Sequence, residues 1–276
     1  MSLERASLNQ YTVKPLSLIE AADACVRHKI PAIALWRDKI AEIGVPRAVA
    51  EIGARGLHVS SICRGGFFPV GNGRDRQQRY DDNLRAIDET AALGADVLVL
   101  VCGAPIVGDL PSARAQIEAG IAALVPYARS AGVRLGIEPL HPMLVAKRSA
   151  ITSLGEANDL IDRLNAKDTT GVVVDSYNVF WDVRVDAEIA RAGSSIFGYQ
   201  ISDWVTPDRC DDVAAARAMP GDGCIDLSHL QARVDAAGYT GFVEIEVLNS
   251  RLWAGEQDEV VRRAAERFSR KAAAAV

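Results

Sequence analysis

Gly132-Val133-Arg134-Leu135-Gly136-Ile137-Glu138-Pro139 carries three signals in a row: a helix stop, a short apolar run and a carboxylate locked by a proline. Upstream, Ile117, Ile121, Leu124 and Ala128 fall on one face at helical spacing, while Arg114, Glu118 and Arg129 lie off it. The stretch therefore reads as helix, turn, strand, with Glu138 held in one direction at the strand's end. The same grammar recurs through the chain. Gly56, Gly94 and Gly238 also follow helical patterns and precede β-branched runs, where a left-handed residue is wanted.

Eight strand candidates alternate with eight helical ones. The strands read as 7–13, 31–36, 58–64, 96–102, 133–138, 171–175, 195–202 and 241–247. The helices read as 17–28, 45–55, 77–93, 112–131, 153–164, 185–192, 227–237 and 256–271. Eight successive β-then-α units predict a single-domain α/β protein, a (β/α)₈ TIM barrel over residues 1–276. A doubly wound open sheet would place phosphate-binding glycines after its first strand, but Lys14-Pro15-Leu16-Ser17 stands there. Long connections follow two strands, 65–76 and 203–225, and long loops at one rim mark where a barrel binds its substrate.

Composition narrows the function. The net charge of −5 and pI near 5.5 argue against nucleic acid and anionic membranes as partners. Cys25, Cys63, Cys102, Cys210 and Cys224 form no C-x-x-C pair, which predicts reduced thiols in a cytoplasmic protein. No basic-then-apolar leader opens the chain, and no apolar run reaches the roughly 18 residues of a membrane span, so a soluble intracellular protein is expected.

Four strand ends carry metal-compatible side chains: Glu138, Asp175 after Val172-Val173-Val174, Gln200 after Phe197-Gly198-Tyr199, and Glu246 after Val243-Glu244-Ile245. Their spacings of 25 to 46 residues preclude a local metal loop, yet neighbouring barrel strands bring such ends to one point. Three carboxylates and an amide oxygen make a hard site for one divalent metal, Mn²⁺ or Mg²⁺ before softer ions, with Co²⁺ or Zn²⁺ as alternatives. Each ligand has a structural alternative: an ion pair for Glu138, Asp175 or Glu246, a hydrogen-bonded core amide for Gln200. Glu244, two residues before Glu246, points to the same face and is a deeper partner. His141, three residues past Glu138, is a candidate base, or a loop histidine bonded to backbone.

Other residues suit a small polar ligand. Trp36, ending the second strand, offers a stacking face for a sugar, or packs under the next helix. Arg64 and Phe67 in Arg64-Gly65-Gly66-Phe67-Phe68-Pro69 can cover a ligand, or belong to an ordinary turn. Asp203, and Arg217 before Pro220-Gly221-Asp222-Gly223, complete the candidate substrate-binding set; Arg217 reads equally as a solvated arginine.

With these segments in place, the chain resembles the xylose isomerase-like TIM barrel superfamily of sugar isomerases and epimerases along nearly its whole length. The resemblance rests on 132–139, the Asp175 strand end, 200–203, Pro220-Gly221-Asp222-Gly223 with Asp226, and Gly238-Tyr239-Thr240-Gly241 leading to Glu246. It implies Glu138, Asp175, Gln200 and Glu246 as metal ligands. Ketose 3-epimerases often have histidine in place of Gln200 and usually in place of Asn178. Trp36-Arg37-Asp38, Cys63-Arg64-Gly65-Gly66 and Glu138-Pro139-Leu140-His141-Pro142 look more like the larger subunits of bacterial C-glycoside deglycosidases, which implies a small β-rich partner subunit and His141 as the base of an elimination on 3-oxo-glucosides. Endonuclease IV shares the barrel but needs a multi-zinc histidine cluster, and this chain has only His28, His58, His141 and His229.

The expected chemistry is proton transfer at a carbon next to a metal-bound carbonyl of a sugar or keto-sugar, with Glu246, Glu138 and His141 as candidate catalytic residues. Isomerase or epimerase is the first outcome and lyase the alternative; a barrel that has lost catalysis and only binds a sugar or a partner protein is the reading from another class, and a homo-oligomer is an alternative to the small partner subunit.

Overall fold

The computed structural model describes residues 2–106, 109–205 and 216–273. Its strands are β1 (Ala6–Asn9), β2 (Ala32–Trp36), β3 (His58–Gly66), β4 (Leu98–Val101), β5 (Leu135–Glu138), β6 (Thr170–Asp175), β7 (Ile196–Ile201) and β8 (Val243–Ile245). All eight pair in parallel in chain order, and β8 pairs back with β1 to close the barrel. Burial on both faces explains the unbroken apolar runs of β2, β4 and β6.

The major outer helices are α1 (Leu18–Arg27), α3 (Val45–Ala54), α4 (Gly73–Ala92), α5 (Leu110–Ser130), α6 (Leu154–Leu164), α8 (Val185–Ala192), α9 (Leu227–Ala236) and α11 (Gln257–Ala273). Short helices α2 (Arg37–Ile43), α7 (Ser176–Val179) and α10 (Ser250–Trp253) follow strand ends and were not legible as separate elements. In α5 the expected stripe of Ile117, Ile121, Leu124 and Ala128 is fully buried. Burying each of its larger members contributes about 1.5–3 kcal/mol relative to exposure. Ser17 opens α1 with a reciprocal capping box to Glu20, which fixes where that helix begins. Gly56, Gly94, Gly132 and Gly238 all have positive φ, as read from their positions.

Two boundaries differ from expectation. The first strand stops at Asn9, because the Asn9 side chain accepts from Tyr11 N–H and turns Gln10–Val13 into a 3₁₀ helix. The stretch 65–76 is not all loop: β3 runs on through Gly66, and α4 begins at Gly73. No helix among the described residues is long and apolar enough to cross a membrane. Cys25, Cys63 and Cys102 are buried free thiols and Cys224 is an exposed one, whereas Cys210 lies outside the described residues.

Gly66 decides how β3 ends. Its φ is +107°, and a Cβ there would lie 2.1 Å from the Val101 carbonyl oxygen, which the Phe67 N–H also uses. Asn83 clamps the same residue by accepting from its N–H at 2.6 Å and donating to its carbonyl at 3.0 Å. We expect Gly66→Ala to lower stability by about 2–4 kcal/mol, read as a fall in the urea midpoint at unchanged slope. An unchanged midpoint would show that β3 tolerates a side chain here.

Candidate active site

Strand register gathers the polar strand ends. Asp175 of β6 pairs with Gln200 of β7, which pairs with Glu244 of β8, and Glu138 ends β5 opposite Val101. Glu246 follows β8 on the same face as Glu244, as the two-residue strand period requires. All five side chains are buried, and ligand atoms of Glu138, Asp175 and Glu246 lie within 4.8 Å of one another.

Arg217 enters this cluster from the segment after β7. It lies 2.8 Å from Asp175 Oδ2 and 3.0 Å from Glu246 Oε2, with its guanidinium over the Tyr177 ring. It is thus a buried counter-ion, not a solvated helical arginine. The Glu246 contact lacks hydrogen-bond geometry, so Oε2 keeps unused acceptor capacity. Asn178 donates to both Glu138 Oε1 and Asp175 Oδ2, while its Oδ1 accepts from the His141 backbone N–H. At the position where the resemblance leads one to look for histidine, an amide ties three site elements together.

Glu244 lies deeper and organises its neighbours. Its oxygens accept from Asn9 Nδ2 at 2.6 Å, Gln200 Nε2 at 3.0 Å and Ser61 Oγ at 2.8 Å. Committing the Gln200 amide nitrogen leaves its Oε1 buried with no partner. Three buried carboxylates close enough to hold a metal, with an unpartnered buried amide oxygen on the strand next to Asp175, make a hard oxygen donor set that would fit a divalent cation. Asn9 was missed from sequence, although it too is a polar residue at a strand end. It bridges Glu244 and Glu246, and its Oδ1 accepts from Trp36 Nε1.

Burial, above all, raises the proton affinity of every carboxylate here: Glu138 well above the ordinary range, Asp175 and Glu244 also upward, and Glu246 to about 8. The neighbouring carboxylates push Glu138 further, whereas Arg217 opposes the rise in Glu138, Asp175 and Glu246.

A cavity of about 320 Å³ opens from the barrel mouth onto this cluster. Glu138, Glu246, Arg217, Cys63 and Tyr177 line it together with Trp36, Arg64 and Tyr11. Trp36 stacks on Tyr11 at 3.5 Å between centroids, a flat apolar wall for a ring or polyol. Two guanidinium groups approach the Phe67 ring, Arg64 at 4.5 Å and Arg79 at 5.3 Å from its centroid. His141 sits beside Phe180 and Trp181; its Nδ1 accepts from Met143 N–H, and partial burial lowers its proton affinity. Asp203 is turned away from ligand duty. Its Oδ1 accepts from the Trp204 and Ile225 N–H groups and its Oδ2 from that of Gly221.

The chain belongs to the xylose isomerase-like TIM barrel family, which it matches over residues 22–271. It is similar to protein SMc04130 from Sinorhizobium meliloti 1021, with 41% identity and a TM-score of 0.93 over 98% of each chain. It is 30% identical over 183 residues, 63% of this chain, to a 3-dehydroshikimate dehydratase from Pseudomonas aeruginosa, but spans only 27% of that relative's length. The IolI protein, whose structure contains a bound zinc atom, shares the fold at 16% identity with a TM-score of 0.85, over 99% of each chain.

Two outcomes follow. Raised carboxylates favour the folded metal-free protein while they are protonated, below their unfolded values near pH 4. That stability is lost as pH rises through the folded values, Glu246 at about 8 among them. The gap in unfolding temperature between Mn²⁺-loaded and metal-free protein should therefore widen from pH 5.5 to pH 8.5; a constant gap would mean these carboxylates are not the metal's ligands. Glu244→Leu removes the acceptor that orients Gln200, and should weaken Mn²⁺ binding about 10- to 100-fold in a calorimetric titration.

Proposed function

We propose that the protein is a divalent-metal-dependent sugar or keto-sugar isomerase or epimerase. The observation that carries this reading is that Glu138 and Glu246, two carboxyl groups with raised proton affinity, share one small cavity with a cationic guanidinium and an aromatic wall. A bound divalent cation, Mn²⁺ in our reading, supplies positive charge that polarises a substrate carbonyl.

The chain's own groups do the rest. Glu246 is the candidate base that takes the proton from the carbon beside the carbonyl, and its unused Oε2 capacity faces the Arg217 side. Glu138 is the complementary acid, steadied by Asn178. Raised proton affinities suit carboxyl groups that must take a proton from carbon and return it. Arg217 orients Glu246 and offsets charge that develops on substrate oxygen. Trp36 and Tyr11 hold the apolar face of the substrate, while Arg64 and Phe67 shield it from water.

A second reading is elimination, favoured by the similarity to a 3-dehydroshikimate dehydratase. The first step is the same proton removal, and the electron pair then expels a β-substituent, which takes up the proton removed from carbon and leaves as water or as the aglycone of a 3-oxo-glucoside. His141 is the base of that reading; burial lowers the proton affinity of its imidazole, and to take the proton its Nδ1 gives up the hydrogen bond from Met143 N–H.

Incubation of Mn²⁺-loaded protein in D₂O with ketoses, 3-oxo-glucosides and 3-dehydroshikimate separates these outcomes. We expect deuterium in an intact ketose, and Glu246→Gln should reduce its incorporation by about 10²- to 10⁴-fold. Loss of water or aglycone would favour elimination, with His141→Asn then the damaging substitution. No exchange and no elimination, despite stoichiometric metal, would leave a sugar-binding barrel.

A further inference from the structure

The proposed chemistry uses the carboxylates at the cavity floor and gives the cations at its mouth no ligand group of their own. Arg64, Arg148 and Lys14 line the same 320 Å³ cavity as Glu138 and Glu246. Several arginines elsewhere are ion-paired: Arg37 with Asp82 and Glu89, Arg55 with Asp23 and Glu51, and Arg191 with Asp159, Asp162 and Glu188. Arg64, Arg148 and Lys14 form no ion pair with any carboxylate among the described residues.

These cations are held by other means. The Arg64 guanidinium lies 4.5 Å from the Phe67 centroid and 5.6 Å from that of Trp36. Lys14 Nζ lies 4.9 Å from the Tyr11 and Trp253 centroids. Arg148 is anchored through its backbone, its N–H donating to Leu144 O at 2.8 Å just before Ser149 bridges to Gly103. Burial disfavours the charge on Arg64, and Arg148 disfavours it further. Glu138 on the floor supports the Arg64 charge from a distance, but among the described residues no carboxylate pairs with these cations at the rim, where an anion between them relieves their repulsion.

We propose that this rim is an anion subsite, and that the substrate is a small hydroxy-ketone with a carboxylate or phosphate at the end remote from its reacting carbonyl. The inference rests on the reading of the floor as the metal and proton-transfer centre. A cavity at the lower end of the usual ligand range puts both ends of one small molecule in reach of floor and rim. Guanidinium groups at Arg64 and Arg148 recognise the oxyanion, and Lys14 adds a third positive charge at the entrance.

D-fructose, D-fructuronate and D-fructose 6-phosphate differ only at C6, as alcohol, carboxylate and phosphate, and provide the test. In calorimetric titrations of the Mn²⁺-loaded protein, one of the anions should bind at least about tenfold more tightly than D-fructose. The better of the two identifies the source of the charge. Raising the salt concentration should shrink the preference, and Arg64→Gln and Arg148→Gln should each reduce it while metal content stays stoichiometric. Equal affinity for the three sugars, failure of both anions to bind at millimolar concentration, or a preference indifferent to salt and to both substitutions would overturn the subsite. Metal-free protein run in parallel keeps the two readings apart: an anion preference that persists while Mn²⁺ adds nothing to affinity sinks the metal-centred chemistry and leaves the subsite standing.

Discussion

Four carboxylates, Glu138, Asp175, Glu244 and Glu246, are buried at one end of the barrel, and Arg217 is the guanidinium paired to them among the described residues. That imbalance is the constraint on which the rest of the site depends. Each carboxylate strips water from its neighbours, and their mutual repulsion in a poorly solvated cavity must be met by protons or a cation. The fold cannot relax it away, because each group is fixed at or beside a strand end by parallel register.

The surrounding amides make this arrangement specific. Asn9, Asn178 and Gln200 each donate to a carboxylate of the cluster, so the acidic groups are aimed as well as crowded together. Because Gln200 spends its nitrogen on Glu244, its oxygen is the atom left over. Glu244 thereby converts an ambiguous amide into an oxygen donor with a defined direction, a task separate from holding a metal.

Much of the barrel could be read from sequence, since β-branched runs, helix phases and Gly132-type stops recur in order. Where the reading slipped, side chains had overridden propensity: the Asn9 cap truncates the first strand, and the Asn83 clamp carries β3 past Gly65. Glu138, Asp175, Gln200 and Glu246 were visible because a polar residue after a buried apolar run is costly and invites explanation. Arg217 and Asp203 were harder. Both lie beyond a strand in irregular chain, where no periodicity distinguishes a buried ion pair or a backbone clamp from a solvated charge. Arg148 and Lys14 gave no signal at all, because only the fold brings them from distant segments to the cavity that Arg64 also lines.

Asp203 has one further consequence. Its carboxylate gathers the N–H groups of Trp204, Gly221 and Ile225, and its backbone exchanges hydrogen bonds with Ala218 at 2.9 and 2.8 Å. Gly223 packs so closely that a Cβ there would lie 2.3 Å from the Trp204 carbonyl oxygen. On the other side, Arg217 N–H donates to Leu248 O, and Asn249 Nδ2 donates to Arg217 O. Arg217 is therefore moored from both flanks, so the guanidinium that balances the acidic floor keeps its berth through backbone contacts as well as through its ionic partners.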